Sequence, residues 1–288
     1  MSQSDAPTGL PFLFGMNEFT TQPWRFEEDV ARYPALGVEA IEVCEAKLDP
    51  ARLDAQMKSV IDSGMRISAV QPKIRTFFGS RMAPEPHETE ARVAALRDSI
   101  GRLAPYAPGT VFVVNTGASP EGDMRRVMDE TIRHLRALCP FAAEQGVSIA
   151  LEPLNPTSLN IESAIWTVGQ AMDIVDGVGH SAMGLCLDLW NVWQNADLEA
   201  QIRRAGQKIT VLQVSDWRTP HSFTDRLVPG QGDIPLGRLL RTTYAAGFRG
   251  ACTVEIFSSN VPDSLYDGDL ARLIQDSRVG LQAAWTNR

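Results

Sequence analysis

The sequence predicts an α/β fold of the (β/α)8 TIM-barrel class, folded as a single domain over residues 1–288. Three observations point there. Eight short apolar runs alternate with eight helix-like segments along the whole chain. The runs are near-continuously apolar, as parallel strands covered on both faces are. No glycine-rich turn follows the first run, where the sequence reads MNEFTTQPW, so the open dinucleotide-binding sheet lacks its usual signature.

The elements follow in order. PFLFGM (11–16) is the first strand, and Phe26, Val30 and Tyr33 then share one face of a helix stopped by Gly37. AIEVCE (40–45) leads into a helix over about 50–63 ending at Gly64, and RISAVQ (66–71) into one over about 88–106. TVFVVN (110–115) precedes a helix over 123–145 closed by Gly146, and VSIALE (147–152) a helix over 163–176. MGLCLD (183–188), helix 197–206, ITVLQV (209–214), helix 235–246, ACTVEI (251–256) and helix 265–285 complete the series. Glycines at these helix ends suit the left-handed residue that closes a helix. Alternation repeated eight times closes most simply into a barrel.

With 44% hydrophobic and 22% charged residues, the chain can fill one large core. Its formal net charge of −8 has the wrong sign for a surface that neutralises nucleic-acid phosphates. No apolar run approaches the roughly 18 residues of a membrane span. The N-terminal MSQSDAPTGLPFLFGM lacks the positive charges that open a signal peptide. Cys44, Cys139, Cys186 and Cys252 are far apart, without a CxxC pair, and are expected as buried free thiols of a reducing compartment. The expectation is a cytoplasmic protein acting on small molecules, with neither nucleic acid nor membrane as partner; self-association into a homo-oligomer is left open.

In such barrels the active site lies at the carboxyl ends of the strands. Strand five ends in Glu152, strand six in Asp188, strand seven in Gln213 and strand eight in Glu255, each after an apolar run. Taken singly, an acidic strand end serves as a helix cap or loop anchor. Taken together, three carboxylates from one half of a barrel would repel one another unless protonated or neutralised by a cation. A divalent metal answers this, with the Gln213 carbonyl as fourth ligand. An all-oxygen shell favours Mn²⁺ or Mg²⁺ over Zn²⁺.

The chain also resembles the xylose isomerase-like TIM barrels, the broad group of sugar phosphate isomerases and epimerases. The resemblance rests on ALEPLNP (150–156), GLCLDLWNVW (184–193), LQVSDWR (212–218), PGQGDIPL (229–236), GFRG (247–250) and TVEIF (253–257). In that group a Glu, an Asp, a His and a Glu at these strand ends hold the metal, which by position become Glu152, Asp188, Gln213 and Glu255. The sequence departs from the pattern at three places: Gln213 stands for the usual His, Asn191 for a His that contacts substrate, and Ser158 for the second Glu of ketose 3-epimerases. The Glu/Asp/Gln/Glu set is similar to that of the 3-dehydroshikimate dehydratases.

The resemblance implies an isomerase or epimerase of carbohydrate metabolism, acting on a sugar or sugar-like polyol. The proton beside a carbonyl is removed, and the metal stabilises the resulting enediolate. The alternative is a lyase that dehydrates a keto-sugar or keto-cyclitol; a remoter one is an inactive barrel serving as a binding or partner subunit. Glu152, Glu255 and His221, the last in the loop after strand seven, are the candidates for proton transfer. Lys73, Asn115, Trp190, Asn191, Arg218 and Arg226 are the candidates for holding substrate, with a surface lysine, a helix cap, core packing or a loop salt bridge as the plainer readings. The long loop from Arg218 to Gly232 suits an active-site cover.

Overall fold

The computed structural model describes residues 9–119 and 121–287. Eight strands form a closed, all-parallel barrel: β1 (Leu13–Asn17), β2 (Ala40–Cys44), β3 (Arg66–Gln71), β4 (Val111–Val114), β5 (Ser148–Leu151), β6 (Met183–Asp188), β7 (Ile209–Val214) and β8 (Ala251–Val254). Each pairs with the next, and β8 returns to β1 with Leu13 opposite Ala251 and Met16 opposite Val254. The expected strands hold to within about two residues at either end.

The helices are α1 (Phe26–Arg32), α2 (Leu53–Asp62), α3 (Thr89–Leu103), α4 (Met124–Glu144), α5 (Val168–Val178), α6 (Leu189–Val192), α7 (Leu198–Ala205), α8 (Leu236–Ala245) and α9 (Leu270–Thr286). Two begin later than the periodicity predicts. Thr167 and Gln170 form a capping box that starts α5 at Val168, not at 163. Asp269 accepts from the amides of Ala271 and Arg272 and starts α9 at Leu270, not at 265. The four-residue α6 has no counterpart in the sequence reading, being a single turn launched by the Asp188 side chain on the amide of Trp190.

Two apolar layers result. The larger lies between strands and helices and includes Phe26, Met57, Leu96, Leu135, Ile174 and Leu240. The smaller fills the barrel: Ala69, Val111, Val113, Ala150, Cys186 and Val211. Side chains two apart on a strand share a face. The residues two beyond Ala69, Val113, Ala150, Cys186 and Val211 are Gln71, Asn115, Glu152, Asp188 and Gln213. Small apolar floor and polar ceiling are thus one period-two pattern.

Candidate functional site

Pairing brings the four predicted strand ends together. Asp188 lies opposite Gln213 in the β6–β7 register, and Gln213 opposite Thr253 of β8. Glu152 and Glu255 follow directly on β5 and β8, and all four side chains are buried. Carboxylate oxygens of Glu152, Asp188 and Glu255 lie within 4.8 Å of one another.

A frame of amides holds them. Asn191, on the α6 turn, donates to Glu152 Oε1 at 2.9 Å and to Asp188 Oδ2 at 2.7 Å. Asn115 donates to Glu152 Oε2 at 2.9 Å. Glu255 Oε1 accepts from Gln71 at 2.7 Å, Asn17 at 3.0 Å and Gln213 at 3.1 Å. Gln213 Nε2 also donates to Glu42 Oε1 at 2.8 Å, while its oxygen faces the Cys186 thiol at 3.0 Å. The Gln213 amide therefore turns its nitrogen, not its oxygen, toward the carboxylates.

One cation enters this ring. Arg226 Nη1 lies 2.9 Å from Asp188 Oδ2 and 3.0 Å from Glu255 Oε2. Its guanidinium is sandwiched near Trp190 and Phe257, and its Nε has no partner among the described residues. Burial, and then the charge of Asp188, push the Glu152 carboxyl up to about 7. Burial pushes Glu255 well above the usual carboxylate range although Arg226 opposes it, and raises Glu42 beneath. When all three carboxylates are ionised, Arg226 leaves two negative charges uncancelled, which is the charge of one divalent cation. The oxygen-rich, buried donor set fits such an ion.

Above the ring opens a cavity of about 400 Å³. Glu152, Glu255, Asn115, Trp190, Asn191 and Arg226 reach it from below and Lys73 from the β3–α3 loop, so these predicted residues do come together there. Two do not line it. His221 has a half-exposed side chain, its Nδ1 2.8 Å from Asp225. Arg218 spends its guanidinium on Asp225 at 2.7 Å and Asp263 at 2.6 Å, a loop salt bridge on the outer surface. The 218–232 loop reaches the cavity instead through Phe223 and Arg226.

Several residues of the site escape the sequence reading. Gln71 carries the same signal as Gln213, a polar residue closing an apolar strand, and Glu42 is an acid inside one. Asn17, the last residue of β1, accepts from the amide of Phe19 at 2.8 Å and donates to Glu255. Arg75 and Glu162 stand on loops, where no periodicity marks which side chains turn inward.

A parallel barrel with a buried acidic centre at its carboxyl end is the class that fold and site define. The chain belongs to the xylose isomerase-like TIM barrel family, whose model matches residues 30–277. It is 32% identical over 128 residues to inosose isomerase of Halalkalibacterium halodurans, a match covering 43% of this chain and 44% of that protein. It is 27% identical over 246 residues to 3-dehydroshikimate dehydratase of Pseudomonas aeruginosa, covering 80% of this chain and 36% of that one. The chain thus spans about half or less of the curated relatives' length. Protein SMc04130 of Sinorhizobium meliloti 1021 superposes over 95% of this chain and 98% of its own, with a TM-score of 0.84 and 26% identity. No helix among the described residues is long and apolar enough to cross a membrane.

Proposed function

We propose that this protein is a divalent-metal-dependent isomerase or epimerase of a keto-sugar or sugar-like polyol, working by proton removal next to a carbonyl. The observation that carries the reading is the trio Glu152, Asp188 and Glu255, buried with carboxylate oxygens within 4.8 Å of one another, of which Glu152 and Glu255 line the cavity. Those three would hold the ion. Gln213 would join them through its oxygen by turning its amide end for end. When bound, a divalent ion supplies Lewis-acid stabilisation of the charge that develops on a carbonyl oxygen as the adjacent C–H ionises.

The chain's own groups do the rest. Glu152 and Glu255 both reach the cavity, from strands three places apart, so each can meet a different part of one small substrate. One takes the proton and the other returns one, the geometry that inversion or a carbonyl shift needs. Asn115 and Asn191 fix the Glu152 carboxylate through both oxygens. Phe19, Phe223, Phe257 and Trp190 form apolar walls that exclude water from the reacting carbon.

The second reading, dehydration, is supported by the dehydratase relative that matches 80% of the chain. One experiment separates them. In deuterated water with Mn²⁺ or Mg²⁺, a panel of ketoses and keto-cyclitols is incubated with the protein and read by mass spectrometry. Deuterium uptake with the skeleton intact is the expected result; loss of water would move the assignment to a lyase. If none of them took up deuterium or lost water, both readings would fail. Glu152→Gln should slow exchange roughly 10²–10⁴-fold.

A further inference from the structure

Three cationic side chains line the cavity, and they are not equivalent. Arg226 is bound to Asp188 and Glu255 at its floor. Lys73 and Arg75, on the loop after β3, have no carboxylate within salt-bridge reach among the described residues. What sets them apart from the other cations without a salt bridge is their place on the cavity lining.

The loop presents both cations from a fixed root. The Lys73 amide donates to Glu45 Oε2 at 2.8 Å, and Glu45 is itself held by Ser99 and Arg102. The Arg75 carbonyl accepts from the amide of Asn115 at 2.9 Å, and Thr76 bridges to Asn115 beside β4. The Arg75 side chain makes one hydrogen bond, Nε to Asn115 Oδ1 at 3.2 Å; its guanidinium lies 5.9 Å from the Phe19 ring centre, and its charge is felt by Glu152 and Glu162. Among the described residues the two terminal nitrogens of Arg75 and the Lys73 ammonium make no hydrogen bond or salt bridge. A guanidinium held by Nε offers its outer edge as a two-pronged donor, the shape that matches a carboxylate or phosphate. Lys73 stands exposed at the rim and Arg75 is half-buried, so the concave wall strengthens the charge of Arg75 more than that of Lys73.

We propose that Lys73 and Arg75 form a subsite for an anionic substituent, a carboxylate or a phosphate, so that the substrate is an acidic or phosphorylated keto-polyol. This rests on the reading that the cavity handles a carbonyl compound. The subsite lies one side chain from the chemistry. Asn115 accepts from Arg75 and donates to Glu152 at 2.9 Å, so the anionic group and the reacting carbon belong to one small skeleton. The same relay gives Arg75 a positioning role: its Nε holds the Asn115 oxygen and so aims the Asn115 nitrogen at Glu152.

Calorimetry on the full chain tests this with D-fructose, D-fructuronate, D-fructose 6-phosphate and inorganic phosphate, for the wild type, Lys73→Gln, Arg75→Gln and Arg75→Lys. The wild type should bind fructuronate or fructose 6-phosphate roughly tenfold or more tighter than fructose, since a charged hydrogen bond is worth about that factor. Which of the two is preferred names the group. The preference should weaken with salt and collapse to within about twofold in both glutamine variants, with Arg75→Lys in between. The Lys73 side chain makes no hydrogen bond or salt bridge among the described residues, so Lys73→Gln remains informative where Arg75→Gln disturbs Asn115. Equal binding of fructose and its anionic analogues, an unchanged ratio in the variants, or no binding of any anionic probe would overturn the subsite. Deuterium exchange keeps the two readings apart. Exchange without anion preference removes the subsite alone, whereas anion preference with no exchange into any keto compound removes the isomerase reading alone.

Discussion

Asn191 donates one hydrogen to Glu152 and one to Asp188 while its oxygen accepts the amide of Asn155 at 3.0 Å. A neutral amide here screens two carboxylates from each other and helps launch the chain away from β6. Replacing it by aspartate would put another negative charge against both and remove both donors. Asn191→Asp should cost about 3 kcal/mol in chelator-treated protein, read by chemical denaturation. Unchanged stability would show that Asn191 does not hold the carboxylates together. At this scale much of the site was legible. Strand ends sit at fixed phase in a barrel, so a polar residue closing an apolar run must point into the mouth. That logic found Glu152, Asp188, Gln213 and Glu255, and applied to β3 it would also have found Gln71. What it could not fix was the orientation of the Gln213 amide, which depends on Glu42 and Cys186 across the barrel.

Loops were legible only as loops. His221 and Arg226 lie in one loop, five positions apart, yet only Arg226 turns into the cavity. The turn's shape decides this, and Asp216 sets that shape. Its carboxylate accepts from the amides of Trp217 at 2.9 Å, Gly230 at 2.8 Å and Ile234 at 3.0 Å, tying both ends of the segment together. Gly232 packs so close that an added Cβ would stand 2.2 Å from the Trp217 carbonyl oxygen, and only glycine fits. Asp216→Ala orphans three amides and should cost about 3 kcal/mol, with faster proteolysis confined to 218–232. Protection as in the wild type would show that the loop is held by something else. Helix starts obey the same lesson: periodicity extends α5 and α9 too far, because capping by Thr167 and Asp269, not apolar phase, sets where each begins.

For the whole molecule, strand–helix alternation was enough to specify the barrel, since eight βα units leave few other ways to cover both faces of each strand. Beside β1 and β2 the barrel encloses a second acidic group that the strand-end rule does not reach. Glu18 is fully buried, one oxygen accepting from the amide of Cys44 and the other unpartnered among the described residues. Asp29 beside it is bonded to Lys47 and Thr21, with Tyr33 on the same hydroxyl. Burial, then the charge of Asp29, holds Glu18 well above the usual range despite Lys47. An acid raised on folding gives stability that is full below its unfolded value and lost as pH rises through its folded value. Glu18→Gln, which keeps an acceptor for Cys44, should therefore gain melting temperature over the wild type as pH rises from 5 to 8. A difference that stays flat or shrinks over that range would mean that Glu18 is ionised in the fold.

In the proposed function Glu152, Asp188, Gln213 and Glu255 gather to hold one divalent cation. Titration of chelator-treated protein with Mn²⁺, followed by the paramagnetic signal of the free ion, tests it most directly. One ion should bind per chain, with affinity lowered roughly tenfold or more in Asp188→Asn and Glu255→Gln while both remain folded. No bound Mn²⁺ at millimolar concentration, with Mg²⁺ and Zn²⁺ equally silent in melting temperature, would contradict it and leave Arg226 as the only cation the three carboxylates share.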